Sequence, residues 1–449
     1  MFFEDMSYNS YDKAELKARR AFELYEEGNI SQALWELQDA IDINPSNSAW
    51  HFNKGLALDA INRFDDAIKE YEAALELCPL DPEILNSLAV DYTRTGQYDL
   101  AINVFEHIQQ IDPDFEPCYC NRIITYTEMG LHDLAEQIFY LAQQIEPDCA
   151  VCYYNIGNSL FVKGEYKKAI HCWLKTAELE PTHPQINYRI AQAYWSDGQN
   201  DKCCERFLAE LRVNPGDMDV ILDFGLFLLE RGNIESAKEK FNRIIEFDPD
   251  FAVASFYLGE IAFNSNDYPL AIKLFNDALQ KDSALPGPRY RLAQYELISG
   301  HKNKARSYLV SELELAPEDA NILVSMGSMF IKIGELDYAT HCLLKAISVD
   351  STNADAYYYF GSINATKGRL SSAAELFNHA LDVNPEHICT LRDSAIVYLI
   401  MGKLNKAAMR IKKAIVLSPD NSQLRWLGRK IRFIQATEQI AGFFRRFRR

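Results

Sequence analysis

Two short cysteine pairs are the residues best suited to chemistry in this sequence: Cys118-Tyr119-Cys120 and Cys149-Ala150-Val151-Cys152. Four thiolates are the ligand set of a tetrahedral structural zinc site. Cys118 and Cys152 stand 34 residues apart, however, in a chain whose pattern recurs at that interval, so they hold equivalent places in neighbouring units. Packed helices keep their axes about 8–10 Å apart. One ion joining all four thiols is not expected, and the cysteines read as unpaired thiols, with no metal site and no cofactor. His171-Cys172 and His341-Cys342 read as packing or surface residues. A phosphate loop, a zinc-protease helix, a nucleophile elbow and a dinucleotide fingerprint are all missing from the sequence, so catalysis is not expected.

The elements that must position these side chains follow from the same interval. Prolines stand at 45, 79, 113, 147, 181, 215, 249, 317, 385 and 419, and Ser283 and Ser351 fill the two gaps in register. A fixed period of this length marks a stacked supersecondary unit. With the proline at position 32, twelve units run from Ala14 to Pro419. Seventeen residues before each proline comes a glycine, or an asparagine at Asn62 and Asn266. These two residues enter left-handed backbone most cheaply, so each unit reverses there between two helices. Small residues recur at position 20 (Ala33 through Ala407, with Cys203 in unit 6) and at position 8 (Gly55, Gly157, Gly259). A large side chain at position 24, such as Tyr71, Trp173 or Phe275, fills the space beside them. Units 6 and 9 fit least well, through Cys203 and Glu210 and through Pro286 and Pro288, and local bends are expected there.

This spacing resembles the tetratricopeptide repeat family, with Tyr154-Asn155-Ile156-Gly157 through Ala169, Trp173 and Pro181 a close match. The resemblance implies an all-α, right-handed superhelical solenoid of about twelve 34-residue helix-turn-helix repeats. Around it, residues 1–13 form a lead-in, 14–419 the repeats, 420–441 a capping helix and 442–449 a basic aromatic tail. Leu424, Leu427, Ile431 and Ile434 give the cap one apolar face.

The resemblance also implies a groove lined by first helices, with ligand-facing side chains at positions 5 and 9. There stand Tyr154 with Asn158, Tyr188 with Gln192, Phe256 with Glu260, Tyr290 with Gln294, and Tyr358 with Ser362. Residues four apart share a helix face, and rings beside amides suit an extended peptide. At position 6, Asn53, Asn121 and Asn155 resemble part of an asparagine ladder, while Arg189 and Arg291 are suited to carboxylates. The lysine, asparagine and arginine set with which some family members clamp chaperone C-termini is not found.

Hydrophobic residues at 48% and charged residues at 24% describe a chain that folds, and a net charge of −18 disfavours nucleic acid for the body of the molecule. Residues 422–449 reverse that sign, with eight arginines and lysines against Glu438 alone. Their Phe443, Phe444 and Phe447 suit a weak contact with an anionic membrane or an acidic partner. No apolar run is long enough to span a bilayer and the first residues lack a secretion signal, so a cytoplasmic location is expected. The expected function is a non-catalytic scaffold or adaptor that binds a peptide or protein segment, with small molecules not expected. The alternatives are a membrane-associated assembly factor docking through the tail, and a targeting or regulatory subunit of an enzyme complex.

Overall fold

The computed structural model describes the backbone of residues 2–315 and 317–447, and side chains within 13–315 and 317–438. Among the described residues the regular elements are α-helices, 25 in all, and none is long and apolar enough to cross a membrane. The chain divides into two compact units, Met1–Phe227 and Leu228–Arg449.

The turn residues behave as their chemistry requires. All twelve, including Asn62 and Asn266, have left-handed backbone with φ between 60° and 104°. In repeat 5 the N–H of Gly164 bonds to the carbonyl of Phe161 at 3.0 Å, and that of Glu165 reaches back to Leu160 at 2.8 Å. The carbonyls at the end of Ala150–Val162 are thereby satisfied before Tyr166–Leu179 begins.

Within most hairpins a small residue at position 8 receives the large one at position 24, repeat 4 with Ile123 being an exception. A Cβ added to Gly157 would lie 2.5 Å from Nε1 of Trp173, whose indole N–H donates to the Tyr154 carbonyl at 3.2 Å. Gly259 beneath Phe275 and Gly361 beneath Phe377 repeat the arrangement, with the added Cβ at 2.6 and 2.7 Å. Glycine is needed because the ring occupies the place of a methyl group.

Repeats 6 and 9 depart from the pattern in a defined way. Their first helices, Ile186–Ser196 and Pro288–Ile298, begin two residues later in the repeat than Ala150–Val162 or Ala252–Asn264. Gln185 and Gly287, one residue before each start, have φ of 56° and 104°. Both repeats also carry glutamate at position 27, where Ala40, Ala74, Ala142 and Ala278 stand elsewhere. Glu210 accepts the Tyr188 N–H at 3.3 Å, and Glu312 accepts the Gly287 N–H at 2.5 Å. Each buried carboxylate thus caps a delayed helix, and burial pushes both groups above the usual carboxylate range against the pull of those N–H groups.

At the ends, Phe2–Glu26 is one helix that takes in most of the expected lead-in, and Ser422–Phe447 is one helix that takes in the expected cap. Leu424, Leu427 and Ile431 are buried with Ile411 and Ala414 of the last hairpin. The side chains of the basic tail 442–449 lie outside the described residues.

Candidate functional site

First helices of successive repeats lie side by side, and their polar side chains bond across the seam with a fixed register. Position 6 of one repeat meets position 5 of the repeat before, 35 residues earlier, and position 9, 31 residues earlier. In the Met1–Phe227 unit, Asn121 donates to Asn86 at 3.1 Å and the buried Asn155 donates to the Cys120 carbonyl at 3.3 Å. Asp223 accepts from the Tyr188 hydroxyl at 2.7 Å and from the Gln192 amide at 3.1 Å. Burial, then that carboxylate, pushes the Tyr188 phenol well above its usual value.

The Leu228–Arg449 unit uses the same register with other chemistry. Arg291 donates twice to Glu260, Nε to Oε1 and Nη2 to Oε2, each at 2.6 Å, and also to Gln294 at 2.9 Å. Its guanidinium stands 5.4 Å from the ring centres of both Tyr290 and Phe263. Phe256 closes over Gly287, where an added Cβ would lie 2.8 Å from its ring. Tyr358 donates to Asp393 at 3.0 Å, and burial with that charge raises its phenol too. Glu260→Gln is expected to remove the charge from a two-point contact and lower stability by about 1 kcal/mol, read as a shifted urea midpoint. An unchanged midpoint would show the pair to be idle.

Position 6 of repeat 6 holds Arg189. This is the place that Asp223 holds one repeat later, and Tyr154 and Asn158 hold positions 5 and 9 of the repeat before it, as Tyr188 and Gln192 do for Asp223. An arginine cannot accept their hydrogen bonds. Among the described residues its side chain bonds to Gln192 alone, at 3.4 Å, and its buried Nε has no partner. No hydrogen bond joins the Tyr154 hydroxyl or the Asn158 amide to another described residue, although the Tyr154 ring lies 4.4 Å from that of His183. All three side chains are half-buried.

Three of the four cysteines noted in the sequence come together, and the fourth does not. Cys118 turns away and donates to the Phe105 carbonyl at 3.3 Å, with burial pushing its thiol up to about 12. Cys120, Cys149 and Cys152 converge instead with Glu116, and their four ligand atoms all lie within 4.8 Å of one another. The spacing of the cysteines does not point to Glu116. Its signal is its place four residues before Cys120, on the same helix face. Hydrogen bonds from the Cys120 and Cys152 thiols hold the Cys149 thiol far below its usual value, while burial raises Glu116.

Profiles described as tetratricopeptide repeat match residues 19–82, 55–114, 150–183, 222–286 and 354–387, together about half of the chain. The chain belongs to the tetratricopeptide repeat family. Among curated proteins it is 25% identical over 214 residues to protein O-mannosyl-transferase TMTC3 of Homo sapiens, covering 44% of this chain and 23% of that protein. It is 24% identical over 227 residues to the protein CTR9 homolog of Arabidopsis thaliana, covering 47% and 20%. The matched part is therefore less than a quarter of either relative, and the transferase activity in the first name belongs to that protein. Among solved structures, the APC/C hetero-tetramer Cut9-Hcn1 aligns with 95% of this chain and 98% of its own, at 13% identity and a TM-score of 0.45.

Proposed function

We propose that the chain is a non-catalytic protein-interaction scaffold whose first helices hold a peptide or protein segment, with Tyr154, Asn158 and Arg189 as an anchoring point. The observation that carries this reading is the unsatisfied chemistry at Arg189. A half-buried guanidinium without a carboxylate, beside a phenol and an amide with bonding capacity to offer, matches a carboxylate on an extended partner. Family membership supports it, and so does the use of the glycines, most of which serve turns and close helix contacts rather than a catalytic loop.

The test exploits the neighbouring repeat. Arg189→Asp would supply Tyr154 and Asn158 with the acceptor that Asp223 gives Tyr188 and Gln192, closing the site internally. Peptides selected from a displayed random library on the full chain are expected to bind this variant at least about 10-fold more weakly, while its circular dichroism and urea midpoint hold. Equal affinity for the two chains rejects the anchor. Selection of peptides that bind equally well to a chain also lacking Tyr188 and Tyr358 side chains rejects the inner face altogether.

A further inference from the structure

The convergence of Glu116, Cys120, Cys149 and Cys152 has no role in that reading and stands on its own geometry. Glu116 and Cys120 sit one turn apart at the start of Glu116–Glu128, the first helix of repeat 4. Cys149 is the residue just before Ala150–Val162, the first helix of repeat 5, and Cys152 lies in its first turn. The Glu116 carboxylate oxygen is 2.6 Å from the Cys149 sulfur, 2.8 Å from that of Cys120 and 3.7 Å from that of Cys152. Cys120 in turn lies 3.6 Å from Cys149 and 2.6 Å from Cys152, sulfur to sulfur.

We propose that these four residues form a mononuclear, four-coordinate zinc site that staples the first helix of repeat 4 to that of repeat 5. Zinc takes sulfur at about 2.3 Å and carboxylate oxygen at about 2.0–2.2 Å, which separates tetrahedral ligands by roughly 3.4–3.8 Å. Two of the observed separations, 3.7 and 3.6 Å, fall in that range, and the other three lie about 1 Å below it, so the side chains must move apart by about that much to take in one ion. A sulfide-bridged cluster needs several metal atoms among its thiolates, and there is room here for one. Soft thiolates in the majority select zinc over magnesium or calcium. The surroundings suit a negative ligand set: two helix N-termini point their positive ends at it, and the Cys152 N–H donates to the Cys149 sulfur at 3.1 Å. A disulfide between Cys120 and Cys152 is the competing use of these atoms, and it leaves Cys149 and Glu116 without a role. Helix separation keeps Cys118 apart from Cys152. It does not separate this set, which joins the start of one first helix to the start of the next, where a loop residue, Cys149, reaches in.

Cobalt(II) is the probe, added to the reduced full-length chain. The expected result is one equivalent bound with the ligand-field bands of tetrahedral cobalt and sulfur-to-metal charge transfer, displaced by zinc(II). Cys149→Ser and Cys120→Ser are each expected to weaken binding by more than about 100-fold, whereas Cys118→Ser leaves it unchanged. Alkylation of the wild-type chain covers variants that fail to fold. Zinc should protect Cys149, the accessible member of the set, from iodoacetamide while the exposed Cys78 and Cys389 react. Absence of the charge-transfer band, equal alkylation of Cys149 with and without zinc, or a Cys120–Cys152 disulfide in chain purified without reductant and free of zinc would each overturn the proposal.

Discussion

Trp173→Ala is expected to lower the stability of repeats 4 to 6 by about 3–5 kcal/mol, the range for removing a fully buried aromatic side chain. Trp173 is 1% exposed, and it fills the space above Gly157 so closely that a methyl group there would lie 2.5 Å from the ring. Its removal opens a cavity against a glycine that has no side chain to move into it. The loss should spread, because each hairpin buries its apolar face only by stacking on its neighbours. Native-state hydrogen exchange on the full chain reads this directly: amides in 150–179 should lose protection most, with those of the flanking repeats following. A double-mutant cycle isolates the contact. Gly157→Ala should be strongly destabilising in the parent chain and much less so beside Trp173→Ala, with a coupling of about 1–3 kcal/mol. Additive effects, or a loss below about 1 kcal/mol for Trp173→Ala, would mean that the ring is not the packing centre of its repeat.

That contact was legible in the sequence for a physical reason, and the polar seam was not. A left-handed turn admits few residues and a close helix crossing admits only small ones, so Gly164, Gly157 and Trp173 could be assigned from their types and intervals alone. The seam obeys a different rule. Tyr188 and Gln192 were read as a pair because they lie four apart on one helix, but what fixes both is Asp223, 35 and 31 residues on. Arg291, read as a grip for an incoming carboxylate, is held by the chain's own Glu260. Such partners depend on how neighbouring hairpins are offset, which no single helix pattern carries. With the offset known, the sequence does carry the signal: tyrosine at position 5 followed by aspartate at position 6 of the next repeat occurs at Tyr188 with Asp223 and at Tyr358 with Asp393. The late starts of repeats 6 and 9 were half legible. Pro286 and Pro288 of repeat 9 and Glu210 of repeat 6 stand out in the sequence, whereas a left-handed Gln185 does not, since glutamine has no preference for that backbone.

Asp91→Asn is expected to stabilise the chain by about 2 kcal/mol at pH 7.5 and to change nothing at pH 3.5. Asp91 is fully buried in Pro82–Arg94; one carboxylate oxygen has no partner, and the other accepts from Arg94 at 3.2 Å. Arg94 also serves Asp59, so one cation is shared between two carboxylates. Burial first, and the Asp59 charge second, push the Asp91 carboxyl up to about 6 from its ordinary 3.8, against the opposing pull of Arg94. The folded chain therefore holds this proton more tightly than the unfolded one. Its contribution to stability is fully present below about pH 3.8, falls as the pH rises through 6, and above that settles into a constant penalty. Each pKa unit corresponds to about 1.4 kcal/mol, so the full displacement is worth about 3 kcal/mol, and local relaxation around the charge brings the expected gain to about 2 kcal/mol. An asparagine keeps the shape and never takes the charge. Urea midpoints of the two chains should coincide in acid and separate between pH 4 and 6, with the variant the more stable. Parallel curves across that window would mean that Asp91 is ionised at little cost in the fold, and that Arg94 neutralises both aspartates at once.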